Sequence, residues 1–473
     1  MLKLKKIILD LSATDFVNLE QHLHDSKSGQ SLQLLRHYRS NNKQDTELMK
    51  ELAINSNSFY VLKSRLYDKI QSLISGNLQS NKDDVLRLLH HISDFCYSNP
   101  RETSIAFLEK LEQELSQFHM HNELLVVYNA LKKMHAFNQK YYHYSQLYNK
   151  QIAYSLSIEK SEEILCNFNR LLAQYNFDRL ERTRDALLFV RKEIADHYEL
   201  NPSRQIEIIK NLIDAQLILF CETELKDKIH TENLLHSTQL LFNQLPEQSP
   251  FRLYEASLHF LLFEFYFRNN LSLQAADYFT RVNSSLSILL LQTHVAPNAL
   301  FLHSRLHYLQ KTKAGNNWCQ EVDGLVLYDP KDMHSEVLIN YHTALQLYFN
   351  HRTKDAISMV NSILNTNSFK DYFHIQIELK LCLAYFYLSS KEFDMADHII
   401  KNLARKIKNE KLLRYQNVLD LIKLFSSLIK EGSTRIQPKH ADLLTLFIAR
   451  NKNENKVLEC LSYELKSKLN ATN

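Results

Sequence analysis

The chain has 473 residues, 45% of them apolar and 23% charged, with a net charge of only +4; this is the balance of a globular protein, not a disordered one. Five glycines and seven prolines fall far below the usual shares of about 7% and 5%. That scarcity excludes strand-and-turn folds and glycine-cradled phosphate sites, and it predicts helix nearly throughout. The length suits two or three domains, or one long repeat array. The six cysteines lie far apart with no Cys-x-x-Cys, so reduced core thiols are expected instead of a zinc site or disulfide framework. The opening MLKLKKIILDLSATDF lacks a signal-like apolar stretch, and no run approaches the ~20 apolar residues of a membrane span. A cytoplasmic protein is therefore expected. Charge is uneven: +3 over residues 1–78, −7 in the middle and +8 from Lys401 onward. Such a distribution steers a partner or a second copy, or else marks solvated helix faces.

Residues 1–78 read as a helical head. Ser12 to Asp15 offer a cap for a helix carrying Phe16, Leu19 and Leu23, and a short helix with Leu32, Leu35 and Tyr38 follows. In SFYVLKSRLYDKIQSLI the residues Phe59, Leu62, Leu66, Ile70 and Leu73 recur at the helical period, which turns Lys63, Arg65 and Lys69 more outward. Two short helices joined by a tight polar turn, the second ending basic, resemble a helix-turn-helix without its usual glycine. These three cations are the candidate nucleic-acid contacts. GNLQSNK, Gly76 to Lys82, is the expected linker.

Residues 83–311 read as divergent helical hairpins. The expected pairs are 83–97 with 101–118, 122–138 with 140–159, 161–176 with 178–198, 202–222 with 226–244, and 251–268 with 271–291. Residues 312–333 form an irregular loop with two of the glycines and the only tryptophan, Trp318. Long loops inside helical arrays often carry function. Hairpins resume over 334–431, and residues 432–473 supply basic capping helices.

The clearest internal likeness lies in these later hairpins. Ala344 and Ala384 stand on first helices, each followed twelve residues later by Ala356 or Ala396, and Ala276 lies 80 residues before Ala356. A repeat near 40 residues is implied. With Ala384, Tyr387 and Ala396 at the small–aromatic–small spacing, the units at 338–365 and 378–407 resemble tetratricopeptide repeats, although Leu403 replaces a small residue and no proline closes the unit. The head with KSRLYDKIQSLI ahead of such repeats also resembles a group of Bacteroidota helical-repeat proteins, a likeness that implies no activity. The expected fold is all-α: an α-solenoid of antiparallel, tetratricopeptide-like hairpins behind a small head.

Such an array implies a non-catalytic scaffold that holds a protein or peptide in a groove. Tyr141, Tyr144 and Tyr148 form an aromatic stripe suited to that groove or to core packing, and Trp318 is a further candidate contact. The alternatives are a transcriptional regulator whose head contacts DNA and whose repeats sense a peptide or dimerise, and an enzyme whose site the sequence does not disclose. No catalytic, cofactor or metal residues are expected. His303 and His307 share a helix face but lack a third ligand. Glu162–Glu163 and Asp83–Asp84 are expected at helix starts, where the helix dipole accounts for them.

Overall fold

The computed structural model describes residues 4–5, 8, 13–26, 28–40, 45–52, 54–74, 82–117, 120–221, 227–245, 250–286, 288–292, 296–312, 332–409, 415–451 and 458–470. Among these the chain is helical and contains no strand. It divides into two compact units, one of Met1–Ile158 and the other of Glu159–Leu245 with Pro250–Asn473.

In the first unit, α1 (Ala13–Asp25), α2 (Gly29–Ser40), α3 (Asp45–Glu51) and α4 (Ser56–Ile74) form the head. Leu19, Leu23, Leu34, Leu35, Tyr38, Phe59, Leu66 and Ile70 close one apolar cluster, as their helical spacing demands. A second cluster begins at Val85, on α5 (Lys82–His90), and continues through α6 (Ile92–Ser98), α7 (Arg101–Gln117) and α8 (His121–Met134). Residues 101–117 pack most extensively as a hairpin on 121–134, and they also meet residues 82–98 as expected, with the Phe95 and Phe107 rings 4.2 Å apart. The turn expected near residue 160 is absent, and one helix, α9, runs from Lys140 to Asp178. Glutamate and lysine are good helix formers, and no glycine or proline interrupts residues 140–178, so the helix runs on through IEKSEE. Glu162–Glu163 thus lie mid-helix, and the dipole does not explain them.

The second unit continues with α10 (Glu181–Leu200), α11 (Arg204–Cys221), α12 (Lys228–Asn243), α13 (Glu255–Arg268), α14 (Ser272–Ser284) and α15 (Leu300–Thr312). It then runs through α16 (Met333–Phe349), α17 (Thr353–Thr366), α18 (Phe373–Ser389), α19 (Phe393–Asn409), α20 (Gln416–Lys430), α21 (Ala441–Asn451) and α22 (Glu459–Asn470). Consecutive members pack as hairpins: α11 on α12, α13 on α14, α16 on α17, α18 on α19 and α20 on α21.

The turns share one device. Helices α13, α16, α18 and α20 each end with a residue in the left-handed region: Asn270 (φ 58°), His351 (62°), Lys391 (63°) and Gly432 (58°). After each, the next amide reaches back five residues: Leu271 to Tyr266, Arg352 to Leu347, Glu392 to Tyr387 and Ser433 to Leu428, at 2.8–3.1 Å. This is the Schellman closure, which satisfies carbonyls that a helix end would otherwise leave unpaired. His351, Lys391 and Gly432 follow one another at intervals of 40 and 41 residues, and Asn270 stands 81 before His351. The expected 40-residue period therefore lies in the turns. Ala344, Ala356, Ala384 and Ala396 are fully buried where paired helices meet. In the earlier hairpin the buried alanine is Ala275, not Ala276, so the alanine register shifts by one there.

First helices of successive hairpins also touch one another through rings. Phe220 of α11 meets Phe260 of α13 at 5.8 Å, and Phe260 and Phe263 meet Phe301 of α15 at 5.5 and 5.7 Å. His303 of α15 stacks on Tyr341 of α16 at 5.4 Å. Tyr348 stacks on Phe386 of α18 at 4.5 Å, and Tyr385 meets Phe425 of α20 at 5.9 Å. Aromatic pairs at these distances add about 0.5–1.5 kcal/mol each beyond their buried area.

Two substitutions in one hairpin test this account. Lys391→Gly removes the left-handed cost of a side chain at the turn and is expected to raise stability by about 0.5–1 kcal/mol. Ala396→Leu overfills the α18–α19 crossing and is expected to lower it by about 1–3 kcal/mol. Urea unfolding followed by circular dichroism measures both.

Candidate partner-binding surface

The head cations do not form the expected outward triad. Lys63 is only 8% exposed; its ammonium pairs with Asp45 and lies 5.0 Å from the Phe59 ring centroid and 5.6 Å from that of Tyr38. Burial raises the Asp45 carboxyl, but hydrogen bonds from Lys63 and Tyr38 outweigh it and hold the group below the usual carboxylate range. Lys69 donates to Ser28 at 2.6 Å, tying α4 to the start of α2. Arg65 alone stands exposed. The helical period placed Lys63 on the polar side, yet the short α3 delivers the Asp45 carboxylate to it, and Tyr38 of α2 and Phe59 of α4 supply the two rings. A buried lysine with a counter-ion and ring faces is a packing element.

The tyrosine stripe also turns inward in part. Tyr144 is buried, stacked on His135 at 5.3 Å, with its hydroxyl 3.4 Å from Glu109. Tyr148 packs against the same cluster beneath Lys132, whose ammonium is 4.7 Å from the ring centroid. Tyr141 is half-buried, and it is Tyr142, which spacing did not single out, that stands exposed. The stripe closes the core between α7, α8 and α9. Trp318 and residues 313–331 of the irregular loop lie outside the described residues.

Glu162 accepts a hydrogen bond from Tyr254 at 3.0 Å, and Glu163 pairs with Lys160 at 3.2 Å. His303 and His307 do not converge. His303 Nε2 lies 3.0 Å from the Leu338 carbonyl, while the His307 ring meets Tyr463 and Glu459. Among the described residues, no group of three or more His, Cys, Asp or Glu side chains stands ready to hold a metal. Burial pushes the Cys382 thiol up to about 12 and raises Cys460 well above its ordinary value, so both stay protonated. Cys166 is exposed, contrary to the expectation of core thiols throughout. No described helix is long and apolar enough to cross a membrane.

The surface that stands out was not visible in the sequence. The last helix, α22, lies across α15, α16 and α18 and makes side-chain contact with each. Leu458, Cys460, Leu461 and Leu465 are buried beneath it. The Cys460 thiol points at the His303 carbonyl on α15 at 3.7 Å. Farther along, Glu464 accepts hydrogen bonds from Tyr348 of α16 and Tyr385 of α18 through one oxygen, each at 2.9 Å. Lys468 closes the group, 2.8 Å from the same carboxylate oxygen and 2.6 Å from the Tyr385 hydroxyl. The other oxygen, Oε2, is buried and has no hydrogen-bond partner among the described residues. Burial and the adjacent carboxylate raise both phenols, so they remain donors at neutral pH. A row of helices thus presents two hydroxyls to an acidic residue on a helix laid over it.

No family model, curated protein or solved structure matches this chain.

Two measurements follow. Lys63→Ala is expected to destabilise the first unit by about 1–2 kcal/mol through lost ring contacts and packing. Calorimetry of the purified variant checks it. For α22, single Tyr385→Phe and Glu464→Gln changes are expected to cost roughly 1–2 kcal/mol each and to couple by at least ~0.5 kcal/mol in a double-mutant cycle. An additive cycle means that the carboxylate is not seated on that hydroxyl.

Proposed function

We propose that this chain is a non-catalytic binding scaffold, a tetratricopeptide-like solenoid whose row of first helices holds a helical segment of a protein partner. One observation carries the reading: the row from α15 to α18 already accommodates a helix, α22, through apolar pockets and a matched acidic anchor. Recognition of an amphipathic helix in a groove works through anchors at i, i+3, i+4 and i+7 spacing. Leu458, Leu461 and Leu465 follow that spacing. The rigidity of the hairpins favours this use, because little backbone must be ordered when a segment docks. The buried charges nearby serve packing, as where Glu264 is held by Arg268 at 3.0 Å and by Ser304. The working compartment that suits such a reduced-thiol scaffold is the cytoplasm.

The test is capture of the partner by the tagged full-length chain, reconstitution of the complex from purified components, and cross-linking mass spectrometry. Cross-links from the partner to α15, α16, α18 and α20 are expected. A partner held only through other elements contradicts the reading. Salt-sensitive binding of random duplex DNA that is lost on Arg65→Ala would replace it with the regulator alternative.

A further inference from the structure

We infer that α22 is a resident competitor: a cis-acting plug that fills the seat of an incoming amphipathic helix with leucine-like residues at i, i+3 and i+7 and a carboxylate at i+6. The inference rests on the binding-scaffold reading and names the partner's chemistry and the regulation of its site. Three features of the seat carry it.

The first is what α22 covers. Its residues reach α15, α16 and α18, three members of the row. A terminal helix that only capped the array would lie against the last hairpin, α20–α21. Some contact with α21 exists, yet every polar anchor described above goes to the earlier helices.

The second is how specific the seat is. Two phenol donors from different helices converge on one carboxylate oxygen, which fixes both the position and the sign of the anchor. Glutamine in place of Glu464 keeps the shape but loses the charge that makes such hydrogen bonds strong. Leu461 and Leu465 flank the anchor on the same face, one turn apart. A helix arriving in trans with that pattern meets the same pockets.

The third is how replaceable α22 is. It has 12 residues, a length at which an isolated helix is marginal in water, so its order depends on the seat. Among the described residues Glu464 leaves Oε2 buried and unsatisfied, and Lys468 is spent on the oxygen that already receives both phenols. An occupant that satisfies both oxygens displaces it. In the sequence only six residues separate the end of α21 from Leu458, so α22 competes in cis at an effective concentration on the order of millimolar. A trans helix of equal intrinsic affinity then sees an apparent Kd in that range, and loosening the plug lowers it.

The experiment uses the full-length chain and a fluorescent peptide with the sequence of residues 458–470, carrying a photoreactive phenylalanine in place of Tyr463. Fluorescence anisotropy is read on the wild type, on Glu464→Gln and on Leu461→Ser, with circular dichroism confirming that each is folded. Weak saturable binding to the wild type and at least 10-fold tighter binding to the loosened variants are expected, with photo-cross-links to α15 near His307. Tyr348→Phe with Tyr385→Phe is expected to abolish the gain. Equal affinity for wild type and variants, or cross-links outside α15, α16 and α18, overturns the proposal. If Leu461→Ser does not fold, the milder Glu464→Gln and the wild-type cross-link position decide the question. Failure of the peptide to bind any folded form overturns the plug alone. A captured partner that cross-links to the row would still uphold the scaffold reading.

Discussion

The constraint on which the second unit depends is that its first helices are buried over most of their surface. Helix α18 buries His374, Ile375, Ile377, Glu378, Leu379 and every residue from Leu381 to Leu388, which leaves only a narrow strip at Gln376 and Lys380 for water. A helix of that composition is stable only between neighbours. One neighbour is its own hairpin partner, which is amphipathic, as α19 is with Ala396, Ile400, Leu403 and Ile407 buried and its lysines outside. The others are the first helices on either side, reached through the ring contacts from Phe220 to Phe425. Stacking is therefore obligatory, because no hairpin can bury its first helix alone.

The same logic accounts for the polar groups inside the row. His374 lies 3.3 Å from Glu378, and both are almost wholly buried. The His342 imidazole is fully buried with neither ring nitrogen hydrogen-bonded, and burial, reinforced by His303 and Arg305, holds it neutral, well below its usual range. An unsatisfied buried group costs free energy that a hydrocarbon would not. Paired or neutralised in this way, these residues add specificity of fit between helices at some cost in stability. The carboxylate of α22 differs in one respect. Its partners come from two separate helices, and it rides on a segment joined to the rest by a short tether.

Much of the fold was legible in the sequence. Scarce glycine and 3.6-residue periodicity identified helix as the dominant structure, and α10 to α13 fall within a few residues of their expected bounds. The alanines of the later hairpins marked the close crossings because only a small side chain fits there. Two kinds of information were missed. The repeating turn uses His351 and Lys391 where glycine or asparagine is the usual choice, so composition gave no sign of a left-handed residue at those two positions. The break expected near residue 160 is absent because no glycine or proline interrupts residues 140–178, and Ser161 and Glu162 there turn toward neighbouring helices.

The candidate site was far less legible, for a physical reason. Lys63 and Tyr144 occupy positions whose spacing fits an outward or groove-lining role, and only the arrival of α3 and α8 turns them inward. Glu464 reads in the sequence as one more surface glutamate on a basic helix. Its role comes from Tyr348 and Tyr385, which lie 116 and 79 residues away, a separation that local periodicity does not bridge.

Native-state hydrogen exchange across a series of low urea concentrations tests most directly whether α22 is a docked occupant of a self-sufficient row. The account predicts that amides of α22 exchange through a separate, easier opening while those of α16 and α18 exchange only on global unfolding. A single opening energy shared by α22, α16 and α18 would make the last helix part of the core and contradict the account.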